Sequence, residues 1–323
     1  MNNKDIYQRT VGFSIRRLLW DIAAFLVLAL LAGGGFLLAE KLSNKGLIGL
    51  AVGIVVGIIA VAIFLRYISY TYKAGQIAMM TRAVSEGTLP EDVIGEGKRI
   101  VKERFVTVAA FYAVTRIIKG IFSQLGRGIS SVGEKLGGDS GQTIGNVISI
   151  VIEVIVAYLC DCCLGWVFYR RNENAAKATC EGAVLFFKHG KTLAKNMGRV
   201  FGMGIASLAV IGGAFTGIFY VIASRFPALF KQLAAEIAEA SVRLEVTVPA
   251  SVTEPATLTL ICAAIAGIIL WSILHSAFVR PFVLVGVLRN YIESGMRDVP
   301  SEASFALLDS KSPKFKKLHS QLA

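Results

Sequence analysis

The stretch that decides the fold is LIGLAVGIVVGIIAVAIFLRYI, residues 47–68, whose single charged residue is Arg66. Comparable apolar runs occupy residues 144–169 and 259–279, and segments rich in arginine and lysine follow all three runs. A helix rises about 1.5 Å per residue, so about 20 apolar residues cross a hydrocarbon core of about 30 Å. The pattern predicts an all-α, polytopic transmembrane helix bundle.

The composition of the 323 residues agrees with membrane insertion, because 54% are hydrophobic and only 17% are charged. Soluble domains carry about a quarter charged residues. The net charge of +12 raises the alternative of nucleic-acid binding, but the basic residues lie between the apolar runs rather than on one continuous face. Attraction to anionic lipids of the inner leaflet explains this charge better, and we expect no nucleic-acid partner.

We predict six spans with short outer loops and longer inner segments. The spans are residues 18–39, 47–68, 105–124, 144–169, 201–223 and 258–280. The third span is the least certain by composition, because Arg116 and Lys119 interrupt it. We expect residues 1–287 to form one transmembrane domain, with an outer amphipathic helix over residues 227–243, and residues 288–323 to form a basic cytoplasmic tail.

The loops orient the chain, because cytoplasmic loops are enriched in arginine and lysine. With the N-terminus inside, the inner segments hold 25 of the 34 basic residues. These segments are residues 1–17, 66–104, 170–199 and 280–323. The sequence therefore predicts a multi-pass protein of the cell membrane, inner or plasma, with both termini in the cytoplasm.

The inner segments show amphipathic helical patterns. Ile77, Met80 and Val84 recur at helical spacing, opposite a polar face that includes Gln76. A similar apolar stripe runs through residues 176–187. Such helices lie in the inner membrane interface or dock beneath the bundle. Gly87 predicts the end of the first of these helices, because glycine interrupts helices.

Four ionisable residues within or near the spans form a predicted polar pathway. A charge at the centre of a span costs about 2.5–3.5 kcal/mol on insertion scales, so each such residue is expected to have a stabilising partner or a functional role. Glu153 and Asp161 lie eight residues apart on one helical face, Arg116 falls at a similar depth, and His275 ends the sixth span. Two interpretations stay open: an acidic path for a cation or proton, with Arg116 and His275 as modulators, or a structural Glu153–Arg116 pair.

Basic residues of the inner segments are predicted to contact the lipid surface. They are Lys98, Arg99, Lys102, Lys191, Lys195, Lys314, Lys316 and Lys317. The tail lysines surround Phe315, and such basic segments bind anionic head groups.

Gly49, Gly53 and Gly57 recur every four residues in the second span. Small residues at this spacing allow two helix backbones to approach closely. The stripe predicts either a homo-oligomer interface or helix packing within one chain.

The sequence contains no recognisable catalytic or metal-binding motif. A phosphate-binding loop requires glycine five residues before Gly-Lys, but Asp92 and Leu185 stand at that distance from Gly97-Lys98 and Gly190-Lys191. The cysteines between residues 160 and 180 lack the spacing of zinc ligands. We expect no enzyme activity, no metal and no cofactor.

Two segments carry resemblances to known families. Residues 72–98 contain Arg82, Gly87, Leu89-Pro90-Glu91 and Gly97-Lys98. This segment resembles the inner loop of uncharacterised prokaryotic polytopic families related to the membrane domain of glycerophosphodiester phosphodiesterases. Residues 160–200 contain Cys162-Cys163, Arg171-Asn172, Cys180 and Asn196-x-x-Arg199-Val200. They are similar to the choline transporter-like family, and that resemblance implies transport of an organic cation.

The leading hypothesis is a membrane protein that moves or gates a small solute, either a cation or a lipid head group. The alternative is a non-transporting membrane scaffold that binds lipid or a partner. The two hypotheses differ at Glu153, which a transporter needs in a hydrated cavity and a scaffold would bury in an ion pair.

Overall fold

The computed structural model of the chain describes residues 1–43, 46–136, 141–243, 247–310 and 312–320. Within these ranges the backbone is helical throughout, apart from short connections, and contains no strand. The helices are α1 (Asn3–Ser43), α2 (Gly46–Ile68), α3 (Ala74–Glu86), α4 (Val93–Arg104), α5 (Val108–Leu136), α6 (Gly141–Tyr169), α7 (Ala175–Ser207), α8 (Gly213–Ala223), α9 (Pro227–Arg243), α10 (Ala250–Thr253), α11 (Pro255–Leu274), α12 (Arg280–Arg297), α13 (Glu302–Asp309) and α14 (Pro313–His319). The predicted all-α class is confirmed.

In the part of the chain that the structure describes, four helical stretches are long and apolar enough to cross a membrane. They are Asn3–Ser43, Ile48–Glu86, Gly198–Ala223 and Pro255–Arg297. Their apolar side chains are exposed, with Leu30 at 74% and Val210 at 71%, and so much exposed apolar surface indicates contact with lipid or protein. The described residues are therefore compatible with membrane insertion, and the predicted spans 105–124 and 144–169 are not among these four stretches.

The chain divides into two compact units. The first combines Met1–Gly198 with Pro281–Ala323, and the second is Arg199–Arg280. π-helical turns interrupt long helices at Ser69–Lys73 in the first unit, and at Leu208–Gly212 and His275–Val279 in the second.

The core of the first unit is built from the inner segments. Ile77 and Met80, predicted on the apolar face of α3, are at most 1% exposed. Gln76, predicted on the polar face, is buried as well, because its amide donates to the Thr10 carbonyl oxygen at 3.2 Å and to Ser14 Oγ at 3.0 Å in α1. Helix α3 is thus an internal helix of this unit with neighbours on both faces.

The predicted end of α3 is confirmed at Gly87. Glu86 is the last helical residue, and Gly87 follows with φ of 73°, a left-handed conformation that favours glycine. Asp92 caps the next helix, α4, by accepting the Gly95 N–H at 2.8 Å. These two helix ends define the connection from α3 to α4.

The C-terminal tail folds onto the first unit as the short helices α13 and α14. Its buried residues are Phe305, Leu308, Phe315 and Leu318, which pack in one cluster with residues of α5, α6 and α7, among them Ile118, Val156, Leu159 and Ala183. Ser312 caps the N-terminus of α14, because its hydroxyl accepts the Phe315 N–H at 3.2 Å. The tail therefore has an apolar face that protein covers and a basic face that stays exposed.

The glycine stripe of α2 packs against α1 within the chain. A Cβ atom built at Gly49 would overlap the Gly35 carbonyl oxygen, and one at Gly53 would overlap that of Leu31. Gly57 faces the side chain of Leu28. The stripe therefore serves close packing inside one molecule, and these positions offer no open glycine face to a second copy.

Helix α9 of the second unit has the bounds that the sequence predicts for the outer amphipathic helix, residues 227–243. Phe230 and Ala234 are buried in a cluster with α11, and Leu233 and Ile237 pack against the same cluster, whereas Leu229 is 60% exposed. The apolar side of α9 therefore packs against α11 within this unit.

Replacing Phe315 with alanine should release the tail from the first unit. Truncating a buried phenylalanine costs about 3–5 kcal/mol, and a helix as short as α14 does not persist without packing. Limited proteolysis of the detergent-solubilised protein should then cleave within residues 302–320 faster. Lys316→Ala, an exposed change on the same helix, should leave this rate unchanged, and equal rates in the two variants would contradict the observed packing.

Candidate functional site

The residues predicted to line a polar pathway do not share one environment. Glu153 on α6 and Arg116 on α5 are both exposed, and neither forms an ion pair with a residue in the described ranges. Asp161, by contrast, is buried. The predicted Glu153–Arg116 pair is therefore absent from the described contacts, and Glu153 and Asp161 do not form a common acidic surface.

Asp161 instead pairs with Lys73. The Lys73 Nζ atom lies 2.6 Å from Asp161 Oδ1, and the side chains are 29% and 4% exposed respectively. Lys73 closes the π turn that joins α2 to α3. A buried carboxylate needs such a partner, and local sequence could not reveal this one because 88 positions separate the two residues.

His275 belongs to a polar cluster inside the second unit. Its Nδ1 atom lies 3.0 Å from Ser207 Oγ, which also accepts a hydrogen bond from Trp271 Nε1 at 3.1 Å. Ser207 directly precedes one π turn of this unit and His275 opens the other. The partner of His275 is thus the hydroxyl group of Ser207.

A second buried carboxylate, Glu181 of α7, holds the loop between α6 and α7. Glu181 is 2% exposed and accepts hydrogen bonds from Trp166 Nε1 and Arg170 Nε, each at 3.0 Å. The helical pattern places Glu181 beside exposed lysines, so only the fold identifies it as buried. This pairing fixes the beginning of the loop to α7.

Arg104, the last residue of α4, holds the same loop by hydrogen bonds from its side chain to the backbone of the loop. The guanidinium donates to the carbonyl oxygens of Arg170 at 3.2 Å, Arg171 at 3.3 Å and Glu173 at 2.7 Å. Burial lowers the pKa of Arg104, but arginine begins so high that it stays charged. Carbonyl groups at the end of α6 thus receive donors from another helix, which positions Arg171 and Asn172.

A cavity of about 310 Å³ lies between α3, α4 and the α6–α7 loop. Its polar wall contains Thr81, Arg82, Ser85, Glu86, Arg171 and Asn172, and its apolar wall includes Ala78, Ile100, Phe168 and Met296. Ligand sites typically combine an apolar surface with a few convergent polar groups. We call this feature the arginine cavity, and it is the candidate functional site.

Glu86 connects the two arginines of this cavity. Its Oε2 atom lies 2.7 Å from Arg82 Nε, and its Oε1 atom lies 3.0 Å from Arg171 Nη2. Arg82 also donates to Glu96 Oε1 at 2.9 Å. Hydrogen bonds from Arg99, together with the charge of Arg82, hold the pKa of Glu96 below its usual range, so Glu96 is ionised at neutral pH.

The residues predicted to contact lipid differ in the exposure of their side chains and in the other contacts that those side chains make. The exposed ones are Arg99, Lys102, Lys314, Lys316 and Lys317. Arg99, however, forms ion pairs with two glutamates of its own helix, and Lys98 lies over the ring of Tyr72, 4.8 Å from its centroid. The side chains of Lys191 and Lys195 lie outside the described residues.

No protein-family model, curated protein or solved structure matches this chain. The two family resemblances therefore stay predictions. Residues from both resembling segments nevertheless line the arginine cavity: Arg82 comes from the first, and Arg171 and Asn172 come from the second.

Breaking the Lys73–Asp161 pair should destabilise the protein asymmetrically. Lys73→Met leaves a carboxylate buried without its cation and should lower the free energy of unfolding by about 3–5 kcal/mol. Asp161→Asn should cost less, because the partly exposed lysine can turn toward water. Thermal unfolding in detergent of both variants and the double variant measures the coupling.

The control for this double-mutant cycle is Lys177→Gln. This substitution removes an ion pair near the surface, in which the Lys177 Nζ atom lies 2.9 Å from Glu173 Oε2. Such a pair contributes at most about 1 kcal/mol. Strictly additive losses in the Lys73→Met/Asp161→Asn double variant would show that the two side chains do not stabilise one another.

Proposed function

We propose that this protein is an integral membrane protein that anchors a helical, lipid-binding unit at the inner face of the cell membrane and does not conduct a solute. The observation that carries the proposal is the buried Lys73–Asp161 contact. It gives a structural role to Asp161, one of the two acidic residues of the predicted transport path. The exposed tail lysines provide the surface for anionic lipid.

A topology of four spans agrees best with the distribution of charge. It leaves both termini and residues 69–197 on one side of the membrane. That side, with the inner ends of the spans, then carries 29 of the 34 basic residues, compared with 25 for six spans. The outer basic residues are Lys41, Lys45, Arg225, Lys231 and Arg243. The enrichment of basic residues in cytoplasmic segments supports this arrangement.

The burial of α6 supports the same topology. Val156 and Leu159 pack with the tail helices, whose lysines are exposed, and hydrocarbon cannot surround a helix where such a tail covers it. The part of α6 that precedes this packed portion, residues 141–154, is only about 21 Å long at 1.5 Å per residue, which is less than the roughly 30 Å of a hydrocarbon core. This part of α6 is therefore too short to cross a membrane by itself.

A cysteine at Arg127 distinguishes four spans from six. Arg127 lies in the outer loop between residues 124 and 144 in the six-span topology, but on the inner side in the four-span topology. In a variant without the native cysteines, a membrane-impermeant maleimide should label Arg127→Cys only after the cells are opened. Ser224→Cys serves as the outer control and Lys316→Cys as the inner control. Labelling of Arg127→Cys in intact cells would favour six spans.

Neutralising Lys314, Lys316 and Lys317 to glutamine should lower the ratio of anionic to zwitterionic lipid that co-purifies with the protein. A basic residue near an anionic membrane surface contributes about 1 kcal/mol to the attraction. Mass spectrometry of extracted lipid measures the ratio. Glutamine at the three basic positions within 225–243, on the proposed outer side, should leave it unchanged, and an unaltered ratio in the tail variant would contradict lipid binding by the tail.

The second candidate function is transport of a small solute. The observation that favours it is the cluster of Ser207, Trp271 and His275 beside two π turns, because π turns and ionisable residues within spans are frequent at functional sites. A proton or potassium flux into vesicles containing the purified protein, abolished by His275→Ala but kept in Lys177→Gln, would select transport over the proposed anchoring role.

A further inference from the structure

We propose that the arginine cavity binds a phosphate group between Arg82 and Arg171. This site is separate from the lipid surface formed by the tail lysines, because α3, α4 and the α6–α7 loop build it. The phosphate belongs either to a lipid head group or to a soluble phosphate ester, since both present the same oxygen atoms to the protein.

The polar wall of the cavity is rich in hydrogen-bond donors. Arg82 and Arg171 contribute guanidinium groups, Asn172 contributes an amide, and Thr81 and Ser85 contribute hydroxyl groups. Planar arginine forks match the oxygen geometry of phosphate and form short, charge-assisted hydrogen bonds with it. This combination favours a ligand that accepts several hydrogen bonds and carries negative charge.

Glu86 occupies the position that an anionic ligand would take. Its two oxygen atoms each accept from one of the two arginines, and its side chain is 42% exposed, as is Arg171 at 43%. A bridge this open to water contributes little to stability. Glu86 is also the last residue of α3, where the helix dipole disfavours negative charge. A phosphate can therefore displace this carboxylate at low cost.

The deeper wall offers a hydroxyl group that the fold does not use. Thr81 is 2% exposed, and its Oγ1 atom has no hydrogen-bond partner within the described residues. Gly165 of α6 lies against this hydroxyl group, since a Cβ atom built there would come within 2.9 Å of that oxygen. Buried hydroxyl groups are usually bonded, so this one supplies a donor for a ligand oxygen.

The donors are held in place before any ligand arrives. Glu96 fixes Arg82 at 2.9 Å, and Arg104 fixes the loop that carries Arg171 through bonds to its carbonyl oxygens. Preorganised groups lose little conformational entropy on binding, which raises affinity. The volume of about 310 Å³ suits a phosphate with a short organic substituent against the apolar wall, rather than an entire lipid.

Inorganic phosphate titrated onto the full-length protein in detergent should raise its unfolding temperature saturably, because a ligand that binds the folded state stabilises it. Arg171→Gln should weaken phosphate binding by about tenfold or more, as expected for the loss of a charge-assisted contact. Arg297→Gln changes an exposed arginine outside the cavity wall and should bind like the wild type. No saturable shift in the wild type, or equal affinity in Arg171→Gln, would overturn the proposal.

Glu86→Gln separates a ligand site from a purely structural bridge. Removing the charge of the competing carboxylate should strengthen phosphate binding severalfold, whereas weaker binding in this variant would overturn the proposal. This variant also keeps the test decisive if Arg171→Gln does not fold. Arg171→Lys, which keeps the charge but loses the planar fork, should then show intermediate affinity, and wild-type affinity in it would argue against recognition by the guanidinium.

Nanodiscs identify the source of the phosphate. In phosphatidylcholine nanodiscs, inorganic phosphate should stabilise the protein as it does in detergent. If added phosphatidic acid removes this shift, a lipid head group occupies the cavity, and if the shift persists, the ligand is a soluble phosphate ester. A failed phosphate titration leaves lipid binding by the tail untouched, because the composition of co-purified lipid measures that property independently.

Discussion

The Lys73–Asp161 contact is the constraint on which the first unit depends. It lies where α2, whose apolar surface is exposed, passes into α3, which is buried. A π turn carries one extra residue per turn compared with the α-helix, so the turn at Ser69–Lys73 rotates the next helix relative to α2. The ion pair then holds the rotated chain against α6. A helix with an exposed apolar surface and a helix buried in protein thereby meet without an unpaired buried charge.

Three other carboxylates of the first unit differ in how deeply they are buried, and their roles differ accordingly. Glu181 is buried and satisfied by Trp166 and Arg170, so it stabilises the loop between α6 and α7. Glu96 is partly exposed and orients Arg82. Glu86 is the most exposed of the three and rests between two arginines at the end of a helix. The deepest carboxylates therefore serve the fold, and the shallowest is the one that a ligand can replace.

Local sequence was a reliable guide wherever the outcome depends on neighbouring residues. The bounds of α9, the end of α3 at Gly87 and the apolar residues Ile77 and Met80 follow from helical periodicity and from the conformational freedom of glycine. Periodicity also misled at Gln76, which pattern places on a polar face. Its hydrogen-bond partners Thr10 and Ser14 lie more than 60 positions away in the sequence, so no local pattern predicts these contacts.

The long apolar runs and the excess of basic residues were sufficient to indicate a helical membrane protein, because hydrocarbon length and hydropathy are local properties. They could not distinguish a run that faces lipid from one that faces a protein core, since both are apolar all round. The tertiary structure decided that the second half of α6 is covered by other helices. It also decided that Asp161 has a partner, and that Arg82, Glu86 and Arg171 surround one cavity. These outcomes depend on contacts between distant segments, which only the folded chain brings together.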